Sequence, residues 1–227
     1  MKINHSTFRV FNRILARQAG VSLVVSMIFI LILAFLGLAA MRNSTLQERM
    51  ANNMRDRNVA LQAAELVLRD AERDLSSFKA DGVTFCAGGA SGCRPAGERP
   101  KLAIYRADYW SWTSSFLAYW TATCNHGQCY VDPDDTTATV PVWNDTVADW
   151  TEAQTGNTLK TVKYGTYTGA TPLTMVPVQP RYMIEAIADK DPHGLRGTNR
   201  VIFRITARAV GQNPNTVVIL QSVISPI

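Results

Sequence analysis

Charge is missing from one long part of this sequence. No Asp, Glu, Lys or Arg lies between Val21 and Met41. The first 20 residues hold no acid either, although they carry Lys2, Arg9, Arg13 and Arg17. Proline and glycine are absent from Leu38 to Asp81, so no ordinary helix breaker or turn former interrupts that span. Histidine is scarce, with only His5, His126 and His193, and there is no G-x-S-x-G, H-E-x-x-H or P-loop stretch. A chain without these groupings offers no familiar arrangement for acid–base, nucleophilic or metal-assisted catalysis, and an enzyme is not expected.

What is there begins with a basic leader and an apolar run. The net charge of +5 is mostly local: the leader contributes +4, and the rest of the chain is near neutral. Global charge therefore makes a weak case for nucleic-acid binding. The run "VSLVVSMIFILILAFLGLAAM" is 21 residues long, and about 20 residues of helix at ~1.5 Å each cross a bilayer core. Helix is the state that satisfies its backbone within the segment. The basic leader stays cytoplasmic, and the bulk of the chain is exported. The run is too long for an ordinary secretory signal. A cut before it, at Gly20, would remove the leader and leave the helix on the mature protein, which is the arrangement of prepilins.

The helical pattern continues past the run. Apolar residues recur at Leu46, Met50, Met54, Leu61, Ala64, Leu68, Ala71, Leu75 and Phe78, with Arg55, Asp56, Arg57, Glu65, Arg69, Asp70, Glu72, Arg73 and Asp74 on the other faces. One rod from about Val21 to Phe78 is expected, apolar all round in its first half and striped in its second. The polar stretch "NNMRDRN" is its least helical part.

After Gly82 the texture changes. Four cysteines fall in two close pairs, "CAGGASGC" (Cys86, Cys93) and "CNHGQC" (Cys124, Cys129). An even count beyond a membrane segment points to an oxidising compartment. Of the three pairings open to them, the two local ones are expected, because each closes a short loop that holds glycine. The alternative is a zinc site with His126, against which the x6 and x4 spacings count. Asp132, Asp134 and Asp135 read as a solvated turn in preference to a calcium loop. In the C-terminal third, "PRYMIEAIAD", "RVIFRITARAV" and "TVVILQSVIS" read as strands of an antiparallel meander whose apolar face covers the helix stripe. In the middle strand Val201, Phe203, Ile205 and Ala207 share one face, and Arg200, Arg204 and Arg208 the other. That arginine face reads as a solvated sheet surface, with DNA binding as its alternative.

These residues carry a family resemblance. The stretch from Arg17 to Glu72, "RQAGVSLVV" through "LVLRDAE", closely resembles the N-terminal region of the PilX family of type IV minor pilins, and "PRYMIEAI" with "RVIFRITARAVG" and "TVVILQS" resembles its C-terminal sheet. The resemblance implies an α+β pilin-like fold divided into a leader (1–20), a long helix (21–80, transmembrane over 21–41) and an exported domain (81–227). It implies cleavage between Gly20 and Val21 by a prepilin peptidase and methylation of the new N-terminus at Val21. It implies no cofactor. It further implies partners among other minor pilins and the major pilin through the helix, with a tip adhesin nearby, and an inner-membrane protein that moves to the pilus on assembly. Most pilins resemble each other in a glutamate at the fifth residue after the cut, where this chain has Val25. That departure suggests a tip-side position with no neighbour above it. Competence-type DNA uptake and an uncut, bitopic membrane anchor are the alternatives.

Overall fold

The computed structural model describes residues 21–86, 89–95, 120–122, 124–131, 142–144, 150, 160–189 and 200–225. Gly20 and the rest of the leader, most of the aromatic stretch 105–119, Asp132, Asp134, Asp135 and His193 lie outside them. The protein has the α+β, pilin-like arrangement of one long N-terminal apolar helix and a largely antiparallel sheet. Two compact units divide the chain, Met1–Ala51 and Asn52–Ile227.

Helix α1 runs over Val21–Leu75 as 55 residues, without a break at Arg42–Ser44 and without melting through "NNMRDRN". It stops three residues before Phe78. The Ser77 backbone takes a left-handed φ of 61°. Its N–H donates to the Asp74 carbonyl at 3.0 Å, and the Phe78 N–H reaches back to the Arg73 carbonyl at 2.8 Å. This pair of bonds is a Schellman cap, which closes a helix by satisfying carbonyls of its last turn. The cap uses serine where glycine is usual, so the sequence carries no sign of it before Gly82.

The sheet has the order β1-β3-β4-β5. Strands β3 (Arg181–Asp189), β4 (Arg200–Val210) and β5 (Val217–Ile224) form the expected meander, paired antiparallel with Ile184 opposite Ile205 and Ala207 opposite Leu220. Two short strands were not legible in the sequence. β1 (Gln128–Val131) pairs parallel with β3, and β2 (Val162–Lys163) pairs antiparallel with the beginning of β3. They divide one edge of β3 between them, with β2 opposite 181–182 and β1 opposite 184–187.

The core of the second unit lies between α1 and the sheet. Val67, Ala71 and Leu75 of the helix meet Tyr182, Ile184, Phe203, Ile205 and Ala207. The odd-numbered residues of β4 face this core, as the alternation predicts. Toward the β4–β5 turn the packing turns small: Ala63 and Ala64 meet Ala209, and Gly211 lies so close to Asp56 that a Cβ there would sit 2.4 Å from its Oδ1. Asp56 Oδ1 accepts the Gln212 N–H at 2.6 Å and the Asn213 N–H at 3.2 Å, which fixes the turn to the helix.

The buried stripe is rotated from the expected one. It runs through Ala60, Ala63, Ala64, Val67, Asp70, Ala71, Asp74 and Leu75. Leu46, Met50 and Met54 are exposed, and Leu61 is at the margin. Asp70 and Asp74, placed on the solvent side by their charge, are 0% and 2% exposed. Their burial is possible because each finds several donors.

Candidate functional site

Two features of the chain are arranged for more than packing, and each belongs to one unit. The first is the beginning of α1. Every large apolar side chain from Val21 to Met41 is exposed, on all sides of the helix. Among the described residues α1 is the one helix long and apolar enough to cross a membrane. Within the run Ser26 Oγ donates to the Leu23 carbonyl at 2.8 Å, and just past it Thr45 Oγ1 donates to the Met41 carbonyl at 2.9 Å. A segment that enters hydrocarbon needs its polar groups satisfied by itself, and Ser26 meets that need. Val21 is the first of the described residues and is helical, and Val25 stands in the same exposed apolar row.

The second feature is a cluster of buried charge at the other end of α1. Arg94 directly follows Cys93 in the chain. Its Nε and Nη2 grip both carboxylate oxygens of Asp74 at 2.7–2.9 Å, and both side chains are about 1% exposed. Its Nη1 donates to the His126 carbonyl at 2.9 Å, and its guanidinium carbon lies 4.0 Å from the centre of the Tyr167 ring. The Tyr182 hydroxyl donates to Asp74 Oδ2 at 2.6 Å. One turn earlier, Asp70 accepts the Thr168 hydroxyl and the Gly165 N–H, the latter at 2.8 Å. A helix, two loops, a turn and a strand are thus joined through two aspartates.

Burial sets the electrostatics. It lowers the Arg94 pKa, but the Asp74 charge and hydrogen bonds outweigh it, and the guanidinium is held charged. Burial raises the Tyr182 hydroxyl well above its ordinary value, and the Asp74 charge adds to the rise. Burial also raises Asp70, although the Thr168 and Gly165 donors oppose it. Among the described residues Asp70 has no guanidinium bonded to it, whereas Asp74 has one.

The cysteines frame this cluster. Cys86 is bonded to Cys93 at 1.99 Å, and Cys124 to Cys129 at 2.16 Å. The second loop turns at His126 and Gly127, both with positive φ, between Asn125 and Gln128, which exchange two backbone bonds. That is the geometry of a tight I′ hairpin turn. A Cβ on Gly127 would sit 2.4 Å from Val162 Cγ2, so glycine is needed both for the turn and for the close approach. Among the described residues no free cysteine remains, and no three acids, histidines or cysteines gather where they could share a metal.

The outer face of β4 is not the open basic surface that was expected. Arg204 forms a two-pronged bond at 2.7 and 2.8 Å to Glu185, its cross-strand partner, whose side chain is fully buried. The Glu185 hydrogen bonds and charge raise the Arg204 pKa against the effect of burial. Thr206 on the same face is fully buried. Beside it, the second disulfide, Met183 and Trp150 cover β3. Glu185 opposite Arg204 was the missed signal, an acid on the adjacent strand that only the pairing register reveals.

Comparison with known proteins gives two matches in tandem. The family described as PilX N-terminal matches residues 19–69. That described as Type IV pilus assembly protein PilX C-term matches residues 89–226, more than half of the chain. No curated protein and no solved structure matches it.

Proposed function

The chain belongs to the PilX family of type IV pilus assembly proteins, and on that premise we propose that it is a minor pilin that primes assembly through its helix. A prepilin peptidase cuts between Gly20 and Val21, and Val21 is methylated as the new N-terminus. Before assembly the chain is held in the inner membrane by Val21–Met41, with its leader in the cytoplasm. In the pilus the same segment packs against the helices of other minor pilins and the major pilin, near the tip and its adhesin.

One observation supports this above the rest: the unbroken helix Val21–Leu75 exposes large apolar side chains on every side from Val21 to Met41. In a bilayer those side chains meet acyl chains, and in a filament they meet similar helices. Removal of four positive charges just before Val21 lets the helix end leave the cytoplasmic surface. The DNA-uptake alternative loses weight because Arg204 is neutralised by Glu185.

The test is mass spectrometry of the membrane-extracted chain, from cells with and without a prepilin peptidase. An N-terminal peptide that starts at methylated Val21, only where the peptidase is present, is the expected result. An intact leader in both samples means a static membrane anchor and ends the assembly reading.

A further inference from the structure

Where α1 ends, the chain holds two apolar side chains out at its surface. Val83 is 81% exposed and Phe85 53% exposed, next to each other on one loop. Such exposure on a loose loop would mean little, but this loop is fixed. The Asp81 carboxylate accepts the Val83 N–H at 2.9 Å and the Thr84 N–H at 2.8 Å. The Lys79 N–H donates to the Thr84 carbonyl at 2.9 Å, and the Cys86 N–H to the Ser77 carbonyl at 2.8 Å. The Phe78 and Phe85 rings meet edge to face at 6.1 Å, and Cys86 is bonded to Cys93. An apolar knob held this rigidly has its ordering cost met before any partner arrives.

Beside the knob lies an open groove of about 370 Å³, lined by Arg69, Glu72, Arg73, Ser76, Phe78 and Gly82. Phe78 and Gly82 join groove and knob into one surface. Arg69 and Arg73 are one turn apart on the same helix face, where like charges repel. Neither is hydrogen-bonded or ion-paired among the described residues, and Arg73 acts on Asp70 only through space. Glu72 faces Ser222, whose hydroxyl lies 3.5 Å from it. Arg73 in the last turn offsets the helix dipole, but Arg69 lies too far back to share that task. The carbonyls of Arg73 and Asp74, which would repel an anion, are already capped.

We propose that this groove and knob dock an acidic segment of a partner pilus protein, its carboxylate between Arg69 and Arg73 and a neighbouring apolar side chain against Val83 and Phe85. Two arginines against the one carboxylate of Glu72 leave the groove with an excess of positive charge that supplies the complementarity, and the anion relieves the repulsion between them. A nucleic acid fits less well, since the most exposed element beside the groove, Val83, is aliphatic. The proposal deepens the minor-pilin reading and rests on it for the partner's compartment.

The test places a photoreactive benzoylphenylalanine at Val83 in the full chain, in piliated cells, and maps the crosslinked peptide. The expected peptide carries Asp or Glu within about three residues of an apolar crosslinked residue, the reach of one extended stretch. Its yield falls about tenfold in Arg69→Glu/Arg73→Glu, a charge reversal at the contact. It is unchanged in Arg55→Glu/Arg57→Glu and returns when the partner acid is changed to Lys. A crosslink to nucleic acid or lipid alone, a peptide without an acid, or a yield indifferent to the reversal overturns the proposal. So does the absence of any crosslink from a chain that is processed and piliated, an outcome that leaves the minor-pilin reading standing. Leader retention, by contrast, ends that reading first.

Discussion

Two buried aspartates one helical turn apart have opposite standing, because one is bonded to a guanidinium and the other is not. Asp74 carries Arg94 and Tyr182. Asp74→Asn leaves the Arg94 charge buried without its counter-ion, and a loss of about 3–5 kcal/mol is expected in denaturant unfolding of the oxidised chain in detergent. The triple change Asp74→Leu/Arg94→Met/Tyr182→Phe removes the three buried polar side chains together, takes a donor only from the half-buried His126 carbonyl, and recovers most of that loss. Asp70 is bonded by neutral donors, and burial raises its pKa. Its contribution to stability is therefore fully present below the unfolded carboxylate pKa of ~3.9 and is lost as pH rises through the higher folded value. Asp70→Asn can still accept from the Gly165 N–H and donate to a reoriented Thr168 hydroxyl. A change of less than ~1 kcal/mol at neutral pH is expected, with a flatter stability profile in weak acid. Asp81 works in the other sense. Thr84 and the Val83 and Thr84 amides lower it to about 2. Its bonds hold above the unfolded pKa and are lost as pH falls through the folded one. The Val83 and Thr84 amide chemical shifts should titrate together with a midpoint near about 2; a midpoint at an ordinary carboxylate value would mean that the loop is not held as described.

The elements were legible to different degrees, for identifiable reasons. Strands β3, β4 and β5 could be read because alternation has a period of two and polar turns bound each run. Their register put Glu185 beside Arg204, which alternation alone does not disclose. The helix was legible in its length and in part of its buried face. Scoring apolar residues picked out Ala64, Ala71 and Leu75, which are buried, and Leu68, which packs against the core, but passed over Ala60, Ala63 and Val67 and the two aspartates, whose donors come from loops and from Tyr182. Strands β1 and β2, of four and two residues, are set by the disulfide hairpin and by the edge of β3 and have no periodicity to show. The end of α1 was hidden for a local reason, a left-handed serine. Ser77→Gly removes that conformational penalty and should stabilise the chain by about 1 kcal/mol in thermal unfolding. Gly127→Ala should act in the opposite direction by about 1–3 kcal/mol, since it adds a Cβ at positive φ against Val162. If both changes were neutral, neither turn would be as tightly specified as its hydrogen bonds indicate.

On the scale of the whole molecule, each half of the design states a requirement. The second unit holds the end of the helix with buried charge and two short disulfide loops, and the large apolar side chains from Val21 to Met41 are exposed. A helix long and apolar enough to cross a membrane was legible because a charge-free run of 21 residues has few other uses, and export of the cysteine-bearing part belongs to the function proposed above. The assignment of a tip-side place is a finer matter and depends on Val25. A carboxylate within a helix of this kind is costly in hydrocarbon unless a partner neutralises it, by about 2.5–3.5 kcal/mol at the centre of a span on insertion scales and less near its end. A filament interior can supply such a partner in the free amine of a neighbouring subunit. A subunit with no neighbour above it cannot. Val25→Glu therefore separates two possibilities that wild-type behaviour leaves together. If the chain sits at the start of the filament, the variant is cut normally at Gly20, because the change is remote from that bond, but its unpaired carboxylate weakens the priming contacts. Surface pili, counted by electron microscopy and by sheared pilin, should then fall several-fold while membrane levels of the processed chain stay constant. Wild-type piliation in the variant would mean that the glutamate is merely dispensable at this position, and the tip-side assignment would lose its physical basis.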